Sequence, residues 1–221
     1  MIESFNLDTY LTKEYIFRTI DEEMVNDLPE LDFILKKIKL FLEKHKFSKD
    51  ITGQGQRYYA KFTFDKNNYC IINWDIERAK IICENKKISI VTLNVDELVE
   101  RIAKDAINPR FLKKGLYNNE PIIIAHLPIL SSFTIIIDGN HRVMGRYKND
   151  IKDIKAYLLE SKYHYFAMGN DTSRAIFISL MIIDNIKKYL TNKITKSYLI
   201  SSIKKIDSFY NISVKKEMLK M

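Results

Sequence analysis

The residue types best suited to handling an anion stand in succession at Asp138-Gly-Asn-His-Arg142, directly behind the isoleucines Ile135, Ile136 and Ile137. Three β-branched residues running into Asp-Gly predict a strand buried on both faces that stops abruptly. Gly139 permits a backbone angle that other residues resist and lets a ligand approach the main chain. Asn140, His141 and Arg142 then fall in the first turn of a helix, where backbone N–H groups lack partners and the helix dipole is positive. These features together predict an anion site. Arg142 adds a forked donor that matches phosphate oxygens. His141 can donate to phosphate or move a proton near neutral pH, and Asp138 can hold Mg²⁺ or act as a base. A plain turn capped by Asn140, with Arg142 on the surface, is the alternative. It leaves His and Arg in succession at a helix start without a reason.

Other candidates are weaker. Arg110, after Pro109, could bring a second cation to bound phosphate. Glu97 or Glu100 could serve as a base for a hydroxyl substrate, although carboxylates on a helix are more often solvated. His126 reads as a buried histidine in a strand, His45 and His164 as surface residues, and no spacing among His126, His141 and His164 fits zinc. Gly53-x-Gly55 has Tyr58 where a dinucleotide fingerprint needs its third glycine, and no P-loop is present. Tyr58, Tyr59, Phe62, Phe64 and Trp74 could stack bases, but hairpin aromatics more commonly form a packed face.

The elements that must position Asp138 to Arg142 follow from pattern. Residues 12–46 read as two helices parted by Pro29, with Leu31, Ile34, Leu35, Ile38, Phe41 and Leu42 at helical spacing. Segments 57–64 and 69–74, joined by the turn Asp65–Asn68, predict a hairpin that 79–83 could extend, placing Cys70 and Cys83 on neighbouring strands. Strands at 87–95, 121–129, 133–137 and 154–159 alternate with helices at 96–105, capped by Asp96, and 141–148. Helices at 170–190 and 195–209 close the chain. The expectation is an α+β fold: a small mixed sheet with short helices at 86–160, an N-terminal helical and hairpin region at 1–85, and C-terminal helices at 161–221.

Composition bounds the rest. The chain has 221 residues, 46% hydrophobic and 29% charged, which is ordinary globular composition. Its formal charge of +8 is uneven: ten acidic and six basic side chains lie up to His45, eleven basic and four acidic from Ser161 onward. That asymmetry permits contact between the C-terminal helices and nucleic acid, with a solvated lysine face as the bland alternative. Two unpaired cysteines, no signal-like N-terminus and no apolar run long enough to span a bilayer predict a soluble cytoplasmic protein without membrane contact.

The order Asn108-Pro-Arg110, Gly115-Leu116, Pro121-Ile-Ile-Ile124, Ile136-Ile-Asp-Gly-Asn-His-Arg-Val143 and Ile154-Lys-Ala-Tyr157 resembles the ParB/sulfiredoxin superfamily over roughly residues 88–160. The resemblance implies a nucleoside triphosphate (ATP or CTP) with Mg²⁺ as cofactor, held by Gly139, Asn140, His141 and Arg142 with Arg110, and Asp138 and His141 as catalytic candidates. Members use the nucleotide for a CTP-driven DNA clamp, for ATP-dependent sulfinic acid reduction or for a kinase reaction. Sulfiredoxins carry a cysteine where this chain has Asn140, and without that thiol the covalent sulfur chemistry lacks its nucleophile. Partition-type proteins have Glu-Arg-Arg where Asn-His-Arg stands here. The expectation is therefore a Mg-dependent phosphoryl-transfer or hydrolysis enzyme. The alternatives are a DNA-binding module, or a nuclease, toxin or defence factor using the same phosphate pocket.

Overall fold

The computed structural model describes residues 7–46, 55–63, 68–102, 107–127 and 133–209. Helices α1 (Leu7–Tyr10), α2 (Lys13–Arg18) and α3 (Leu31–Lys44) come first. Thr12 starts α2 by accepting a hydrogen bond from the Tyr15 amide, and α3 buries the six apolar residues that its spacing singled out. Strands β1 (Arg57–Thr63) and β2 (Tyr69–Asp75) form a two-stranded sheet. The turn expected at Asp65–Asn68 falls, up to residue 67, outside the described residues, as does Phe64.

Residues 79–83 do not extend that sheet. They belong to α4 (Ile76–Asn85), which begins where the Asp75 carboxylate accepts from the Arg78 amide. Ile76, Ala79, Ile82 and Cys83 share its buried face at three- and four-residue steps. A five-residue segment, apolar but for Lys80, is ambiguous between strand and helix by periodicity alone, and the cap decides it. Cys70 lies on β2 and Cys83 on α4. Both are buried free thiols whose pKa burial pushes up to about 12, so neither is a ready nucleophile.

Next come β3 (Ile90–Asn94), α5 (Val95–Val99), a 3₁₀ turn (Pro109–Phe111), α6 (Leu112–Tyr117), β4 (Ile122–Leu127) and β5 (Phe133–Asp138). They are followed by α7 (Asn140–Tyr147), β6 (Asp153–Leu159), α8 (Ser161–Ala167), α9 (Asp171–Leu190) and α10 (Lys196–Phe209). The cap of α5 is Asn94, whose side chain accepts from the Asp96 amide, not Asp96 itself. Sequence reading missed α6 and α8; helices of six and seven residues carry too few turns to show a clear period. No described helix is long and apolar enough to cross a membrane. The class is α+β.

The chain divides into two compact units. Unit 1 holds residues 1–51, 60–72 and 170–221; unit 2 holds residues 52–59 and 73–169. A boundary drawn near residue 86 falls inside unit 2. In unit 1, α9 packs on α3 and α10, starting from Asn170, whose side chain caps it through the Ser173 amide.

Unit 2 is built on a four-stranded sheet of order β3-β6-β4-β5, with β4 parallel to β6 and the other pairs antiparallel. One face carries the apolar cluster that includes Ile122, Ile124, Ile136 and Ile154, closed by Leu98 of α5 and Val143 of α7. Helix α8 packs on β4. It brings in His164, which is fully buried, contrary to its sequence reading as a surface residue. The Trp74 indole N–H donates to its Nδ1 at 3.3 Å, so its proton sits on Nε2 and is donated to the His126 carbonyl at 3.0 Å. His45, also read as exposed, is half-buried and edge-on to Phe41.

A buried imidazole already facing an N–H donor resists a second proton, and burial lowers the His164 pKa from 6.5 to about 4. The unfolded chain takes up this proton as pH falls through 6.5, while the folded chain refuses it until about 4. Stability is therefore unaffected by this group above that window and declines within it, by about 3 kcal/mol in total at 1.36 kcal/mol per unit. Urea unfolding across that pH range should show the decline in the native chain and a shallower one in His164→Gln. An equal slope in the variant would rule out His164 as its source.

Candidate functional site

The isoleucines at 135–137 form a strand segment buried on both faces, as their run predicts; none is more than 8% exposed. The strand ends with an irregularity: Ile124 pairs with Ile136, but Ile123 pairs with Asp138, so β5 holds one extra residue at Ile137. Gly139 follows in the left-handed region (φ 102, ψ 14) and precedes the first turn of α7. A Cβ there would collide with the Ile122 side chain, so both the angle and the space demand glycine.

The Gly139 carbonyl accepts from the Arg142 amide at 2.8 Å and from the Val143 amide at 3.0 Å. The amides of Asn140 and His141 have no backbone acceptor among the described residues. The Asn140 side chain turns back to the Ile136 carbonyl at 3.1 Å instead of capping the helix. His141 is held from the other side: the Asn108 amide donates to its Nε2 at 3.1 Å, and Phe111 meets the ring edge-to-face at 5.7 Å. With Nε2 accepting, the proton of the neutral ring is on Nδ1.

Arg142 is not an exposed donor waiting for a ligand. Its side chain is 6% exposed; Nη2 donates to Asp138 Oδ2 at 2.5 Å, and Nη1 donates to the carbonyls of Glu120 and Pro121 at 2.7 and 3.1 Å. Most of the guanidinium's capacity is thus taken up by the protein. Asp138 has one oxygen in that pair, which leaves Oδ1 as its only oxygen outside it. Among the described residues, no three of His, Cys, Asp and Glu gather as a metal site.

The turn opens into a cleft of about 510 Å³ lined wholly by unit 2 residues. Asp138, Gly139, Asn140, His141 and Arg142 form one wall. Arg57, Tyr58 and Lys80 contribute from β1 and α4, and Phe111, Lys114 and Gly115 from the 3₁₀ turn and α6. Sequence reading missed Phe111, Lys114, Arg57 and Lys80 as residues lining this cleft. Residues 111, 114, 115 and 118 do recur at helical spacing, which was the available signal for the α6 face. Arg110 is exposed and does not line the cleft; its amide is capped by the Asn108 side chain. Glu97 and Glu100 are likewise exposed and outside it.

Helices α6 and α7 meet backbone to backbone. A Cβ on Gly115 would lie 2.5 Å from the His141 carbonyl oxygen, and one on Gly145 would lie 2.8 Å from that of Leu112. Any side chain at either position would force the helices apart and move the first turn of α7 relative to Lys114.

Comparison of the chain with protein-family models, with curated protein sequences and with solved structures gave no match.

Both partners of the Arg142–Asp138 pair are nearly buried, so removing either leaves an uncompensated charge. Arg142→Met and Asp138→Asn should each destabilise the chain by about 3 kcal/mol, measured by urea unfolding. The double variant should lose clearly less than the sum of the two. Strict additivity would show that the pair is not coupled.

Proposed function

We propose that this chain binds a nucleoside triphosphate with Mg²⁺ in the unit 2 cleft and cleaves or transfers its terminal phosphoryl group. The supporting observation is the start of α7. Two first-turn amides without backbone acceptors among the described residues stand in the wall of a cleft that also presents Arg57, Lys80 and Lys114. Amides at a helix start fix an anion in place, and the cations around them neutralise its charge. Phosphoryl transfer requires little else from a protein, because its catalysis is mostly positioning and charge stabilisation.

The residues divide this task. Asn140 and His141 offer their amides to phosphate oxygens, and His141 adds its Nδ1–H. Lys114, exposed on α6, and Lys80 on α4 are the flexible cations. Arg142 holds the turn together instead of meeting the ligand directly. Magnesium binds triphosphates with few protein ligands and retains several waters. One carboxylate with a single uncommitted oxygen, Asp138, fits that demand and no larger one.

The test is a thermal-shift panel of ATP, CTP and GTP and their diphosphates with Mg²⁺, followed by assay of phosphate release. A nucleotide at about a hundred times its dissociation constant should stabilise the chain by about 2.7 kcal/mol. Lys114→Ala should weaken that nucleotide about fivefold, the scale of one exposed charge contact. Absence of a shift with every nucleotide overturns the proposal.

A further inference from the structure

Phe111 is 52% exposed at the edge of the cationic cleft. Its position follows from the helical face it shares. Phe111, Lys114, Gly115 and Asn118 all line the cleft, and Gly115 fixes that face against the first turn of α7. The ring lies 5.7 Å from the His141 ring at an interplanar angle of 81°. This edge-to-face contact orients Phe111 but leaves half of it to solvent. A phosphate chain held at the His141 amide would thus share the cleft with an apolar aromatic surface, with Lys114 one helical turn beyond Phe111. The other aromatic in the wall, Tyr58, is half-buried, with its ring 6.3 Å from that of Trp74. Phe111 is the more open of the two.

We infer that Phe111 is the platform on which the nucleoside ring of the ligand stacks, so that the site takes nucleoside polyphosphates in preference to inorganic ones; this rests on the nucleotide reading above. A phenyl ring has no donor or acceptor with which to read a base edge, and every base has a π-face. Phe111 thus contributes affinity for the nucleoside and tolerates either purine or pyrimidine. Selectivity among bases, where the chain shows any, comes from polar groups elsewhere in the cleft.

The experiment compares ATP, CTP and inorganic tripolyphosphate, each with Mg²⁺, on the full chain by titration calorimetry. The variants are Phe111→Ala, Phe111→Leu and Phe111→Tyr. The native chain should bind both nucleotides about tenfold tighter than tripolyphosphate, the scale of one base stacked on an aromatic ring. Phe111→Ala and Phe111→Leu should lose that preference while binding tripolyphosphate as the native chain does, which also shows that they fold. Phe111→Tyr should restore it. Equal affinity of the native chain for nucleotides and tripolyphosphate, or a preference that survives in both Phe111→Ala and Phe111→Leu, overturns the role of Phe111 and leaves phosphate binding standing. If the native chain binds none of the three, the nucleotide reading fails and takes this inference with it.

Discussion

The buried Arg142 guanidinium is the contact on which the architecture of unit 2 depends. It ties two places that the chain visits separately to the start of α7: Asp138 at the end of β5, and the carbonyls of Glu120 and Pro121 at the entry to β4. A nearly buried charge is tolerated only when it is paired and its remaining donors are satisfied. The pair therefore demands that the β5–α7 turn and the entry to β4 take one relative position. Gly139 makes the turn possible, and Gly115 and Gly145 bring α6 against α7 from the other side. The cleft wall is rigid because each of its components is held by a contact that admits little alternative.

That commitment changes how charge is divided in the cleft. An arginine used as the anion ligand would supply planar, bidentate geometry. Here the arginine is engaged within the protein, so in the proposed function geometry would come from main-chain amides and neutralising charge from lysines on flexible stems. Lysine is a strongly hydrated point charge and imposes little direction. Under the proposed function, such a site would hold a phosphate group at the amides and adapt to whatever extends beyond it.

Much of the fold was legible because its pattern is strong: the isoleucine run before Asp138, the face of α3 and the long α9 all fall where periodicity puts them. The mostly apolar segment at residues 79–83 is too short to distinguish strand from helix, and the Asp75 cap settles it. His164 reads as a surface residue because its partners, Trp74 and the His126 carbonyl, lie 90 and 38 residues away. Arg142 was recognised as important, but its i, i+4 relation to Asp138 across the start of a helix turns it inward, toward the protein. The charge asymmetry between the chain's ends has a partial internal explanation. Within unit 1, Lys193 pairs with Glu22 at 2.6 Å and Lys196 with Glu30 at 2.9 Å, so some C-terminal lysines answer the acidic N-terminal segment. Composition alone could not show that, because it carries no information on which segments fold together.

The extra residue in β5 explains how a carboxylate ends up beside this site. Side chains alternate across a strand, so Asp138 in an unbroken ladder would share the face of Ile136, which lies in the apolar cluster with Ile124 and Val143. A carboxylate there would lose its hydration with no partner to compensate. The bulge shifts the register by one residue, keeps Ile137 buried, and sets Asp138 opposite Ile123, whose neighbours Ile122 and Ile124 are the ones that enter the cluster. From that position the carboxylate meets Arg142 on the first turn of α7. The irregularity in the ladder and the ion pair are therefore one feature: without the bulge Arg142 would lose its close, nearly buried partner and keep only the exposed Glu120 carboxylate at 3.9 Å, and without Arg142 the displaced carboxylate would be nearly buried and alone.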